Sequence, residues 1–403
     1  MMWEKVKIGD VYEGLYDGPH ATPPTSDDGA IFLGISNITK DGHVDLSDIK
    51  YINENDLPKW TKRVTPKGGD IVFSYEATLN LYAIIPDDFW GCLGRRMALI
   101  RPDETKAHGK YLYYYFFSEE WRSTVSSHII TGATVDRIPI AKFPEFIISL
   151  PPMEKQHKIA NILSNYDDLI VNNKKQIKLL EETAQRLYKE WFVDLRFPGY
   201  EDVETVDGVP EGWRYKRVEE LGEVITGKTP STSKTEYYGG SIPFVTIPDM
   251  HGNVFPLVTE KTLTKVGADT QKNKYLPANT VIVSCIATVG LVNIAIEPCQ
   301  TNQQINSVIL HDDNNLYFFY ESMKRIKALL DGVGSNGATM TNVNKTKFSN
   351  IKVLYPTEDL IMKYNEFCKP IFAQILASSK AMLTSKQARD RLLPKLMSGE
   401  IEV

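Results

Sequence analysis

Between residues 150 and 198 the apolar positions fall into a strict rhythm. Ile159, Ile162, Tyr166, Ile170, Asn173, Ile177, Leu180, Ala184, Leu187 and Trp191 follow one another at gaps of three or four, with polar and charged residues between them. That is a heptad seam. A helix of ~40 residues is ~60 Å long at 1.5 Å per residue, too long for one small domain to bury. It needs a second long helix. Shifting the seam by 205 residues lands on Tyr364, Phe367, Ile371, Ile375, Ser378, Met382, Ser385, Arg389, Leu392 and Leu396. Asn173 maps onto Ser378, so both seams carry a polar group at mid-length, a feature that can fix register at a cost in stability. The second seam weakens at Ser385 and Arg389, and Pro394 is expected to end or kink its helix.

Outside the two seams the pattern turns strand-like. Ile71-Val72-Phe73 and Val281-Ile282-Val283 are short apolar runs after turn residues, a strand signal. Tyr111 to Trp121 and Leu316 to Leu330 read as short helices. The two globular parts also repeat each other. VTPKGGDIVFSYEAT (64–78) answers KYLPANTVIVSCIAT (274–288), and GCLGRRMALIRP (91–102) answers CQTNQQINSVIL (299–310). TGATVDRIPIAKFPEFIISLPP (131–152) answers NGATMTNVNKTKFSNIKVLYPT (336–357), with Gly132-Ala133-Thr134 over Gly337-Ala338-Thr339. The chain is a tandem of two modules, each a globular part followed by a long helix. The expected fold class is α+β: two strand-rich domains, at 1–150 and 199–355, separated by two long antiparallel helices at 151–198 and 356–403. These helices would form a coiled coil and give the tandem an approximate two-fold repeat.

Composition narrows the class. Of 403 residues, 42% are hydrophobic and 24% charged, ordinary for a globular protein. No apolar run reaches the ~18 residues of a membrane span, and MMWEKVKIGD does not read as a signal peptide. Cys92, Cys285, Cys299 and Cys368 form no CxxC pair, so neither zinc nor a disulfide framework is suggested, and the expected compartment is a reducing cytoplasm. Net charge is −5. Residues 1–150 hold 16 Lys and Arg against 21 Asp and Glu, and residues 201–355 hold 15 against 17. Neither domain carries a strongly basic footprint. This balance speaks against a nonspecific polyanion binder.

Catalytic motifs are not evident. GEVITGKT (222–229) matches GxxxxGK[ST], but Pro230 and STSKTEYYGG follow without helical periodicity. A phosphate loop needs a helix there, so the stretch reads as a loop leaving a strand. Pro86-Asp87 with Glu104-Thr105-Lys106 resembles a PD…ExK nuclease pattern, yet Glu104 reads as a loop residue and the second module lacks the pattern. Seven scattered histidines form no ligand set. The chain reads as non-catalytic, binding no cofactor of its own.

Basic and amide residues are more informative. The first module has Lys59, Lys62, Arg63, Lys67, Arg95, Arg96 and Arg137. The second has Lys228, Lys234, Lys272, Lys274, Asn302, Gln303 and Gln304. Arginine reads guanine and Asn or Gln reads adenine by paired hydrogen bonds, while lysine holds phosphate. Arg95-Arg96 align with Gln303-Gln304. Equivalent positions with different base-reading chemistry let similar modules read different sequences. Ordinary solvated surface charge is the competing explanation for any single residue.

LPPMEKQHKIA (150–160), RLLPKLMSGEI (391–401), SCIATVG (284–290) and TNQQIN (301–306) resemble the specificity subunit of type I restriction–modification enzymes, over the whole chain and in the expected order. One departure is that SYEATLNLYA (74–83) lacks the glycine of SCIATVGLVN (284–293). The resemblance implies two target-recognition domains that each read half of a split double-stranded DNA sequence, with the helices as spacer. It also implies two copies of a modification subunit, which bind S-adenosylmethionine, docked on the helices. A translocating restriction subunit, using ATP and Mg, would join them. Two other readings fit the same residues: a recognition subunit of a related methylation or defence system without the type I nuclease, and a coiled-coil scaffold whose globular ends bind proteins.

Overall fold

The computed structural model describes residues 3–132, 135–331 and 342–403. The chain divides into two compact units, one of residues up to 169 together with 385–403, the other of residues 170–384. The matched Ala133-Thr134 and Gly337-Ala338-Thr339 lie outside the described residues.

The first unit is built on a four-stranded antiparallel sheet. Its order is Tyr12–Asp17, Met97–Pro102, Ile71–Ser74, Tyr82–Ile84. Ile71–Ser74 is buried at every residue, which explains why it reads as a continuous apolar run rather than an alternating one. A three-stranded sheet lies next in the chain: Lys50–Ile52, Ala30–Leu33 and Gly91–Leu93, the last pair parallel. The second unit repeats both sheets. Gly222–Thr226, Ile305–Leu310, Val281–Ser284 and Val292–Ile294 form the four-stranded sheet, and Lys261–Leu263, Tyr238–Val245 and Gln300–Thr301 the three-stranded one. Each module is closed by its last strand, which pairs with a strand near its start. Glu4–Lys7 pairs with Ile147–Leu150, and Arg214–Arg217 with Lys352–Tyr355.

The expected helix at Tyr111–Trp121 is instead two, Gly109–Tyr115 and Glu119–His128. Ser118 breaks the run: its hydroxyl accepts the Trp121 N–H and caps the second helix. Trp121 is buried among Tyr82, Phe116, Phe143 and Phe146 and donates its indole N–H to the Tyr82 hydroxyl at 2.8 Å. The region 316–330 likewise holds two helices, Leu316–Lys324 and Ile326–Asp331.

The long helices are Met153–Phe192 and Glu358–Ser398, and each crosses from one unit into the other. In the second unit Trp191 and Phe192 pack on Tyr364, whose hydroxyl donates to the Ala184 carbonyl at 3.3 Å. Farther along, Ser378 donates to Gln176 at 3.4 Å, so the two helices run antiparallel. Ser378 and Ile375 are buried; Ile170, Asn173, Ile177, Leu180, Leu187, Ile371 and Met382 are half-buried. In the first unit Ile159 and Leu163 share a core with Leu396 and Met397, and the half-buried Ile162 and Leu392 pack against it. Tyr166 is half-buried. The polar weak spot is filled by charge: Arg389 donates to the Asp167 carboxylate at 2.6 Å, and Asp167 accepts the Tyr114 hydroxyl.

Two expectations about the seam need correction. Phe367 is 59% exposed, touching Trp191 only edge-on, because Tyr364 and Cys368 fill the buried positions on that turn. Pro394 does not end the second helix. Leu396 and Met397 are buried beyond it, and the Met397 carbonyl accepts the Trp3 indole N–H at 3.0 Å. Burial of that last turn outweighs the one backbone hydrogen bond that proline removes.

Candidate nucleic-acid interface

In each module the buried central strand ends in a tight loop. In the first, Ser74 N–H donates to the Leu81 carbonyl at 3.1 Å and Thr78 N–H to the Glu76 carbonyl at 3.0 Å. In the second, Ser284 N–H donates to Leu291 at 2.9 Å and Thr288 N–H to Ile286 at 2.8 Å. Both loops are left-handed at the same two places: Ala77 (φ 70°) matches Ala287 (φ 65°), and Asn80 (φ 63°) matches Gly290 (φ 97°). Asparagine is among the few residues that tolerate this conformation. The glycine missing from the first module is therefore replaced by the residue type that best preserves the turn. A left-handed alanine is strained, costing ~1–3 kcal/mol, and such strain collects at functional loops.

Two further segments meet each loop. Tyr75 N–H donates to the Arg96 carbonyl at 3.1 Å, and Ile138 N–H to the Tyr75 carbonyl at 2.8 Å, with Glu76 bridged to Arg137. The second module repeats this with Cys285 N–H to Gln304 at 2.9 Å, Val343 N–H to Cys285 at 2.8 Å, and Ile286 bridged to Asn342. Arg96 and Arg137 thus stand where the other module has Gln304 and Asn342. Arg96 is itself left-handed (φ 71°).

The first site is charged. Arg63 pairs with Asp17, and Arg96 Nε lies 3.5 Å from Glu76 Oε1. All four act on the buried Tyr75. Burial raises its phenol above the ordinary value; Asp17 and Glu76 add to the rise, and Arg63 and Arg96 oppose it. Arg95 is exposed beside this group. Other residues expected in the site do not join it. Lys67 stands at the opposite end of strand Ile71–Ser74, where its N–H donates to Asp70. Lys59 lies over the ring of its neighbour Trp60, and Lys62 is exposed just beyond the short helix Leu57–Trp60.

The second site is an amide network. Thr229 Oγ1 donates to Gln303 Oε1 at 2.7 Å, and Asn302 Nδ2 to Gln304 Oε1 at 3.0 Å. Lys228 N–H donates to Thr301, and its carbonyl accepts from Gln271 at 2.6 Å. Lys272 is exposed and Lys274 half-buried in the turn that follows Gln271. Lys234 folds back instead onto its near neighbour Tyr237, donating to the hydroxyl at 3.0 Å. Tyr75, Asp17, Glu76, Thr229 and Gln271 were not anticipated from sequence, since their contacts cross between distant loops.

The lookalike motifs have structural roles. Residues 227–234, directly after strand Gly222–Thr226, are not helical; a Cβ on Gly227 would meet the Asn302 carbonyl at 2.2 Å, so glycine is there for close backbone approach. Glu104 accepts the Gly109 N–H and contacts His108. Among the described residues no His/Cys/Asp/Glu group could hold a metal, and no helix is long and apolar enough to cross a membrane. All four cysteines are buried and free.

The tandem sheets, each with its strained loop and its own set of polar side chains around it, define a two-module architecture built twice on one plan. The model of the type I restriction modification DNA specificity domain matches residues 2–182 and 210–360. The chain belongs to this family of type I restriction–modification specificity subunits. It is 30% identical over 472 residues to the type I restriction enzyme HindI specificity subunit of Haemophilus influenzae, covering 99% of both chains. It is 27% identical over 363 residues to the MjaIX specificity subunit of Methanocaldococcus jannaschii, covering 87% of this chain and 82% of that one. The crystal structure of the type I restriction–modification S subunit from M. genitalium shares the fold, with a TM-score of 0.61 and 15% identity over 98% of this chain and 96% of that one.

Proposed function

We propose that this chain is the sequence reader of a type I restriction–modification complex, with each module recognising one half of a split DNA target. The observation that carries the reading is the loop built twice on one backbone plan, with Arg96 and Arg137 in one copy and Gln304 and Asn342 in the other. Arginine pairs with guanine O6 and N7, and Asn or Gln with adenine N6 and N7. Because the modules differ, the half-sites need not be palindromic. The chain itself is non-catalytic. Two modification subunits carrying S-adenosylmethionine dock on the long helices, and a restriction subunit using ATP and Mg completes the assembly.

The test is a domain exchange. Residues 1–150 are replaced by the equivalent domain of a relative, the hybrid is expressed with its modification subunit, and the methylome is sequenced. One half of the methylated motif changes and the other stays. A change in both halves sinks the two-reader assignment.

A further inference from the structure

We infer that Asp17 and Glu76 are specificity determinants of the first module, acting as built-in counter-ions that keep Arg63 and Arg96 from binding DNA of any sequence. The inference rests on the DNA-reading role proposed above and deepens it.

Several observations converge. Two arginines of the loop site each have a carboxylate partner, and both pairs bear on one buried tyrosine, Tyr75. Asp17, Glu76 and Arg96 are half-buried, while Arg63 reaches Asp17 from the exposed rim. Arg96 is held in a left-handed backbone conformation, which a non-glycine residue keeps only when its surroundings enforce it. At the matching described positions Asp17, Glu76 and Arg96 have uncharged counterparts in the second module. Thr226 ends the strand that Asp17 ends in the first module, Ile286 stands at Glu76, and Gln304 at Arg96. The acids therefore accompany the arginines.

The physics favours selectivity over strength. An arginine gains affinity from any phosphate, on every sequence. A carboxylate already holding that arginine turns a phosphate contact into an exchange of one charged partner for another. The carboxylate left behind then repels the backbone. Only a base edge offering two aligned acceptors offsets this, so discrimination rises while total affinity falls. The acidic balance of residues 1–150 agrees with a reader that stays off random DNA.

The experiment uses the full chain assembled with its modification subunits, and fluorescent duplexes, one carrying the methylome-mapped motif and one scrambled. Affinity is measured across a salt series for wild type, Glu76→Gln, Arg96→Gln and the double variant. Glu76→Gln binds scrambled DNA about fivefold tighter at low salt, the gain fades as salt rises, and it vanishes in the Arg96→Gln background. Asp17→Asn behaves the same way and loses its gain with Arg63→Gln. A gain that persists without the arginine overturns the pairing. Weakened binding to the motif without tighter binding to scrambled DNA makes Glu76 a base contact instead. If wild type and every variant ignore both duplexes, the DNA-reading role itself falls, a result distinct from either.

Discussion

Glu321 is the least comfortable residue in the second unit. It is 1% exposed, its Oε1 has no hydrogen-bond partner, and Lys324 stands 3.8 Å away. Burial pushes its carboxyl up to about 7, and the nearby Glu181, itself raised by burial, adds to this. Tyr320, Tyr364 and Tyr188 feel the same charge, as does Cys368. Below the ordinary value of 4.5 the group is protonated in both the folded and unfolded chain and costs nothing. Between 4.5 and about 7 only the unfolded chain ionises, so stability falls as pH rises. The full loss, on the order of 3 kcal/mol, is present above that range. Glu321→Gln removes this slope: melting temperatures of wild type and variant converge toward pH 4.5 and diverge toward pH 8. Parallel curves would show that Glu321 ionises freely. At this scale the sequence carried half of the loop cluster in the first module. Arg96 stood out by its alignment with Gln304. Asp17, Glu76 and Tyr75 did not, because ion pairs across loops leave no periodic trace; a column-by-column comparison of charge between the modules would have flagged Glu76 over Ile286.

At the scale of elements, the long helices were the most legible feature, since three-four spacing kept up from Ile159 to Trp191 has few other solutions. Their ends and contents were less so. Pro394 reads locally as a stop, yet burial of Leu396 and Met397 carries the helix past it. Ser385 and Arg389 look like flaws in the seam, but both are buried. Burial works against the Arg389 charge, and Asp167 and Asp390 outweigh it. Removing one member of such a pair strands the other. Arg389→Leu is expected to cost about 3–5 kcal/mol in urea unfolding of the full chain. Arg389→Leu combined with Asp167→Asn restores most of that, because Asn can still accept the Tyr114 hydroxyl. A double variant as weak as the single one would show that the charge pair is not what matters. The strand-rich modules were legible as a repeat. The break at Ser118 was missed, because a capping serine looks like any other polar residue between two aromatic runs.

For the molecule as a whole, each long helix starts in one unit and finishes in the other. If helix length sets the gap between half-sites, four residues inserted after Asn173, matched by four after Ser378, add ~6 Å and about one turn to each helix. Coiled coils absorb such an insertion as a stutter. The half-site sequences stay the same while the unread spacer lengthens by about one to two base pairs. Methylome mapping of the double insert decides it, and an active enzyme with an unchanged spacer would show that the helices are not the ruler. The same connectivity bears on synthesis. Residues 170–384 form a unit from one continuous stretch, but the first unit needs 385–403 to close its core over Ile159 and Leu163. On the ribosome, the core of the first unit stays open until residues 385–403 have been made. A chain cut short before Leu396 carries an open apolar core at its front end, where cellular proteases find unfinished products. Copies that extend through Met397 seal that core, so the order of the chain itself separates closed from open first units.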